Sequence, residues 1–368
     1  MSSPVLGESP LLPTVSVAGP DASSEFGTAF TAHMVTATWS ASTGWSAPVL
    51  SERRPVAFDL AAVGLHYGQL VFEGLKAHRQ ADGSTAIFRP HAHAERMRRS
   101  AARFSMPPPP ESLFLDAVRL LAGRDAGALS DDPSLSLYLR PILVATEPTL
   151  ALRPSEHYLF AVIAFRTGGF FATGADPVSV WVSTDFVRAA PGGTGAAKCA
   201  GNYAPAFLAQ AQAAEHGCAQ VVWLDATRRR QVEEMGGMNL FFVHGAGGAA
   251  RITTPPLSGT ILPGVTRDSL LTLGRARGCE ITEEPITVDE WRAGCRTGEI
   301  TETIACGTAA VVVPVGRVRT AGDEWLVGGG ATGPVATAWW HRLRAVHRGV
   351  EPAPHGWLDP VTEEGFAQ

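Results

Sequence analysis

The chain has 368 residues, 45% hydrophobic and 18% charged: enough apolar material for a folded interior, and more length than one compact core holds. Its net charge of −5 argues against nucleic acid or an anionic membrane surface as partner, since both select a basic face. The first residues lack a basic start and an unbroken apolar stretch, and no apolar run is long enough to cross a bilayer; neither a signal peptide nor an anchor is expected. The five cysteines (Cys199, Cys218, Cys279, Cys295, Cys306) share no metal-like spacing and read as buried free thiols of a reducing compartment, the cytoplasm.

In chain order, residues 1–27 are rich in Ser, Pro and Gly and read as a loosely ordered tail. A first α/β unit over 28–168 carries predicted helices at 91–104, stopped before Pro107–Pro110, and at 111–123, with buried strands at 137–145 and 157–165. Residues 169–178, within a glycine-rich stretch, read as an interdomain connector. The rest, 179–368, reads as a second, larger domain whose strands begin at 178–182 and continue at 219–225, 238–245 and 300–306. Its helices run from an Asn202 N-cap to Gly217, over 265–277, and over 333–349.

Of the 30 basic residues, all but Lys76 and Lys198 are arginine. A lysine that survives such a bias is a candidate for chemistry that guanidinium cannot do, because an amine can lose its proton and attack a carbonyl. The segment GGTGAAKCAGNY (192–203) surrounds Lys198 with small residues, which let a planar group approach the backbone; a flexible turn with a solvated lysine is the plainer alternative. VEEMGGMNLFF (232–242) sends an acid into an apolar strand, where it needs a cationic partner such as a protonated ring nitrogen; a solvated Glu pair is the alternative. SGTILPGVTRDSLL (258–271) is a turn feeding a helix and ACGTAAVVV (305–313) a small-residue turn with the Thr308 hydroxyl. Both are compatible with a phosphate, and neither specifies one. Arg96, Arg98, Arg99 and Arg103 read as a solvated helix face, and the two histidines of HAHAE (91–95) point apart and read as surface residues.

Taken together, HYGQLVFEGLKAHR (66–79), FRPHAHAERMRRSAARFSMP (88–107), LYLRPILVATEP (137–148), RAAPGGTGAAKCAGNY (188–203), VEEMGGMNLFF (232–242), LSGTILPGVTRDSLL (257–271) and GEITETIACGTAAVVVPVG (298–316) resemble the branched-chain amino acid aminotransferases. The resemblance runs from about Phe26 to His355. It implies the pyridoxal-phosphate fold type IV: a small α/β domain and a larger pseudo-barrel domain, with the site between them in a homodimer. It implies pyridoxal 5'-phosphate as cofactor, with Lys198 as the Schiff-base lysine and catalytic group. Glu234 takes the place of the acid on the pyridine nitrogen, and Tyr203 that of the phenol on the ring 3-oxygen. Arg96, the amides of Val265 and Thr266, and Thr308 stand at the phosphate positions, which lifts Arg96 out of the solvated-face reading.

On the substrate side the resemblance implies an apolar wall of Tyr67, Phe72, Tyr138 and Phe170, with Leu150 and Leu152 reaching in from the partner subunit. Arg140 is expected at the distal carboxylate of glutamate, and Thr308 and Ala309 at the α-carboxylate. The implied activity is transfer of the amino group of leucine, isoleucine, valine or a similar bulky amino acid to 2-oxoglutarate. The departures fall on the substrate side: Phe170 stands where the family commonly has tyrosine, and SERRPVAFDL (51–60) differs from the usual pattern. His93 stands where many relatives have asparagine. These leave open an aromatic or modified amino acid as substrate; a silent binding protein is the remote alternative.

Overall fold

A computed structural model describes residues 26–129, 132, 134–168, 176–245 and 250–362. It contains two nine-stranded sheets. The first is antiparallel and is centred on the long hairpin Ser136–Ala145 and His157–Thr167, whose registers run unbroken from Ser136↔Thr167 to Ala145↔Tyr158. Leu75–Arg79 flanks the hairpin on one side and His33–Ser40 on the other. The helices Pro90–Arg103 and Glu111–Arg124 lie over this sheet. Their apolar positions, Met97, Ala101, Phe114, Val118 and Leu121, join Leu137, Leu139, Phe160 and Val162 in one core. Pro90 opens its helix where the missing N–H costs nothing.

In the second sheet the order Val232–Met235, Gln220–Leu224, Val178–Val182, Val311–Arg319, Ile300–Gly307, Met238–His244 closes on itself, because the last strand also pairs with the first. This ring is a closed barrel, and closure leaves no free edge among its members. Val180, Val222, Met235, Leu240, Phe242, Val313 and Val315 share a core with Trp291, whose indole N–H donates to Thr303 Oγ1 at 2.9 Å. Trp291 comes from the helix Val288–Thr297, which begins in a capping box between Thr287 and Glu290.

The predicted helices at 91–104, 111–123, 265–277 and 333–349 and all the predicted strands are present. Three readings change. The helix expected from Asn202 is a short 3-10 turn, Ala200–Asn202, and the α-helix proper is Ala206–Glu215. Asn202 caps nothing; its amide donates to the Thr194 and Ala197 carbonyls at 2.9 Å and staples the loop that carries Lys198. Residues 358–361, within the span expected of the second domain, form a strand that pairs with Thr85–Phe88 in the first sheet. Phe26, assigned to the tail, packs edge-on against Tyr138 and Phe165. Residues 1–25, most of the connector and Phe170 lie outside the described residues.

Candidate active site

A cavity of about 380 Å³ opens where the two sheets meet, walled by Phe72, Tyr138 and Arg140 of the first and by Val221, Trp223, Met238 and Asn239 of the second. Lys198 enters it from the loop between the barrel strands. That loop is anchored at both backbone atoms, to the helix Pro90–Arg103 and to the first sheet: Lys198 N–H donates to Ser100 Oγ at 2.9 Å, and its carbonyl accepts from Phe72 N at 3.0 Å. The ammonium Nζ lies 3.0 Å from Tyr203 Oη and 5.0 Å from the centre of the Phe72 ring. An amine is thus held over an aromatic face beside a phenol.

Glu234 is sealed behind the wall formed by Leu262 and Asn239. Its Oε1 accepts from the Leu262 amide at 2.6 Å and weakly from Asn239 Nδ2 at 3.4 Å. Arg188 Nε lies 2.9 Å from Oε2, yet Oε2 accepts no hydrogen bond of good geometry among the described residues. Burial pushes the carboxyl above its ordinary range, and Arg188 and the Leu262 amide offset this only in part. The neighbouring Glu233 turns elsewhere and takes the Thr260 hydroxyl.

Arg96 is not the surface residue that its helical spacing suggests. It is buried, and Glu73 grips it twice, at 2.6 Å from Nε and 2.7 Å from Nη2, while Nη1 donates to the Pro263 carbonyl. His93, also expected at the surface, is buried with its Nδ1 2.7 Å from Glu73 Oε2. Its neighbour His91 does face solvent, against Glu111, as do Arg98 and Arg99, paired with Glu95. Glu73 and His93 were missed as site residues. The signal for Glu73 was an acid inside the apolar run VFEGLK, which demands a cation.

Arg96 lines the cavity together with Gly264, Val265, Thr266, Thr308 and Ala309. Val265 starts the helix Val265–Arg275, whose N-terminus has no side-chain cap and leaves its amides for an anion. Close approach explains two glycines: a Cβ on Gly264 would meet Asn239 Oδ1 at 2.0 Å, and one on Gly74 would meet the Tyr138 hydroxyl at 1.8 Å.

The substrate-side residues divide. Phe72, Tyr138 and Arg140 line the cavity, Arg140 lying 5.0 Å from the centre of the Phe72 ring and 5.4 Å from that of Tyr138. Tyr67 does not wall its own cavity. Its helix ends at Gly68 in the left-handed conformation, and its hydroxyl donates outward to the Leu150 carbonyl at 2.8 Å. Leu150 and Leu152 stand 56% and 87% exposed beside it.

The class IV amino-transferase model matches residues 70–318. The chain belongs to the class IV aminotransferases. It is 50% identical over 334 residues to a branched-chain-amino-acid aminotransferase of Mycolicibacterium smegmatis, covering 90% of this chain and 91% of the relative. It is 41% identical over 344 residues to branched-chain-amino-acid transaminase 1 of Bacillus subtilis, covering 93% and 96%. Among solved structures, the branched-chain amino acid aminotransferase of Escherichia coli superposes with a TM-score of 0.73 at 26% identity, over 85% of this chain and 97% of that one. A T.th. branched-chain amino acid aminotransferase, complexed with N-(5'-phosphopyridoxyl)-L-glutamate, superposes at 0.70 with 26% identity, over 89% and 98%.

For this aminotransferase the cavity offers what a phosphorylated aromatic aldehyde requires. It has an amine and a phenol side by side, an arginine near an uncapped helix N-terminus, and behind one wall a buried carboxylate oxygen with no hydrogen bond.

Proposed function

We propose that the chain is a pyridoxal-phosphate-dependent transaminase that moves the amino group of leucine, isoleucine, valine or a similar bulky amino acid to 2-oxoglutarate. The observation that carries this is the Lys198–Tyr203 pair, 3.0 Å apart, facing a cavity backed by the under-bonded Glu234. When bound, the cofactor supplies a carbonyl that condenses with amines and a ring that accepts an electron pair.

The protein's own groups do the rest. Lys198 Nζ would hold the cofactor and, once freed by a substrate amine, would take the proton from the substrate's α-carbon as general base and deliver it to the cofactor as general acid. Tyr203 would donate its hydroxyl hydrogen bond to the ring 3-oxygen. Glu234 would hold a proton on the ring nitrogen, with Arg188 2.9 Å from the acid. Arg96, Val265, Thr266 and Thr308 receive the phosphate, and Thr308 with Ala309 the α-carboxylate. Phe72 and Tyr138 exclude water from an apolar side chain, while the Arg140 guanidinium between their rings meets the distal carboxylate of the second substrate.

Two further points belong to this reading. The protein works as a homodimer, because the outward-turned Tyr67, Leu150 and Leu152 form an exposed apolar group suited to completing a partner's pocket. It acts in the cytoplasm, a reading that its five free cysteines support. A panel of amino donors with 2-oxoglutarate tests the substrate class. Leucine, isoleucine and valine should lead, and a panel led by an aromatic donor would move the reading to the specialised alternative.

A further inference from the structure

Lys76 is the chain's only lysine besides Lys198, and the chemistry above does not use it. It stands on the strand Leu75–Arg79 opposite Tyr138, is 5% exposed, and donates from Nζ to the Ala309 carbonyl at 3.0 Å. Among the described residues no carboxylate lies within ion-pairing distance of it. Behind the turn that Ala309 belongs to is a small recess of about 10 Å³, the size of one water, lined by Lys76, His78, His347, Thr266, Thr308 and Val311. The His78 and His347 rings stack at 4.5 Å, and His78 Nε2 is buried without a hydrogen-bond partner. Burial, with Arg344 adding to it, pulls Lys76 down to about 7.

A buried ammonium whose hydrogen-bond partner is a neutral carbonyl is costly. The same turn carries a second cost. It joins Ile300–Gly307 to Val311–Arg319 through Thr308, Ala309 and Ala310, and Val311 adopts φ +65°, a left-handed conformation that a β-branched residue strongly disfavours. Both costs fall on a segment whose other side lines the main cavity at Thr308, Ala309 and Ala310. In a trans peptide the C=O and N–H point opposite ways. Fixing the Ala309 carbonyl on Lys76 therefore turns the Ala310 amide away from the chamber, and with it sets the turn.

We propose that Lys76 is a positioning residue: from the small chamber behind it, Lys76 holds the Thr308–Ala310 turn, through the Ala309 carbonyl, in the strained form that receives the substrate's α-carboxylate. The proposal rests on the transaminase reading of the cavity, which assigns that turn to the carboxylate.

The test uses the holoenzyme and 4-methylpentanoate, an aliphatic carboxylate without an amino group, with binding read from the cofactor's absorbance and no turnover involved. Lys76→Met keeps the length and removes the donor; Lys76→Gln keeps a neutral donor. Lys76→Met is expected to melt at or above the wild-type temperature, because an uncompensated buried charge is gone. It should nevertheless bind 4-methylpentanoate about tenfold more weakly, the scale of one lost hydrogen bond. KM for leucine and for 2-oxoglutarate should rise together, since both carry an α-carboxylate, with a smaller change in kcat, and Lys76→Gln should recover part of the affinity. Unchanged carboxylate affinity in Lys76→Met overturns the proposal, as does a loss of affinity that only follows a fall in melting temperature. Should Lys76→Met fail to fold, the same comparison is made on Lys76→Gln against wild type, with a smaller loss expected. Wild-type holoenzyme that fails to bind the carboxylate at all overturns the reading of the cavity and the proposal with it.

Discussion

Glu73 and Glu234 are both closed to solvent, at 0% and 1% exposure, and they are held in opposite ways. Burial pushes both carboxyls upward. At Glu73 the Arg96 charge and its paired hydrogen bonds, with His93, more than reverse that and hold the group well below the usual carboxylate range. At Glu234 a single misaligned arginine and one amide do not, and the group stays raised. What separates them is the number and alignment of donors, since depth is the same. Glu73 is saturated by its own chain and can only position Arg96. Glu234 retains an oxygen without a hydrogen bond, and that oxygen is the one available to a cationic ligand.

The largest expected effect is at the unsaturated acid. Glu234→Gln should lower kcat by about a thousandfold, because a neutral amide does not keep the ring nitrogen protonated. Without cofactor the same variant should be as stable as wild type or more so, as a poorly compensated buried acid has been removed. Steady-state kinetics alongside melting of the cofactor-free protein checks both halves; wild-type kcat would place the acid elsewhere. The mirror-image change, Glu73→Gln, should cost about 3–5 kcal/mol of stability, the scale of breaking one partner of a buried pair. It should also weaken cofactor retention by freeing Arg96. Denaturant titration measures the first and dialysis against buffer the second; equal stability of the two variants would erase the distinction.

A smaller effect separates the two acids by pH. Glu73 is lowered in the fold, so its contribution is present above the unfolded carboxylate pKa and is lost as pH falls below about 4. Glu234 is raised, so its effect has the other sign: stability declines as pH climbs from about 4 through its raised value. His347, pulled down to about 3 by burial together with Lys76 and Arg344, adds to the acid side. The unfolded chain takes up a proton below about 6.5 that the folded ring refuses. Unfolding midpoints of the cofactor-free protein across that range should fall toward acid, less steeply in His347→Gln and Glu73→Gln and more steeply in Glu234→Gln. The smallest expected change is at a position that the family resemblance alone puts on the substrate side. Phe170→Tyr, which adds a hydroxyl, should lower KM for 2-oxoglutarate about tenfold or less while leaving leucine nearly unaffected. Equal shifts for both substrates would make residue 170 a filler of space.

Local pattern carried much of this into the sequence. The apolar runs at 137–145 and 157–165 became the central hairpin because a strand buried on both faces needs no alternation. The glycines and small residues around Lys198 read as room for a planar group, and the segment is held at Lys198 by Ser100 and Phe72, partners that its own sequence does not announce. Long-range pairing was not legible. Helical spacing put Arg96 and His93 on a solvated face because nothing in residues 90–103 announces Glu73, which reaches them from the link between the strands Leu70–Phe72 and Leu75–Arg79. Asn202 looked like an N-cap since the same amide that caps helices also staples loops. The helix Val288–Thr297 was passed over although Thr287 and Glu290 spell its capping box. Tyr67 was assigned to a wall that its own chain does not build with it, because its hydroxyl turns instead to the Leu150 carbonyl, 83 residues on, a pairing that no local motif spells out.

The central claim is that Lys198, and not the chamber-bound Lys76, carries the cofactor. Reducing the holoenzyme with borohydride and mapping the peptides reads this directly. A pyridoxyl group on the peptide containing Lys198, with Lys76 unmodified and the label absent in Lys198→Ala, is the result expected. A label on Lys76, or one that survives Lys198→Ala, would contradict the account.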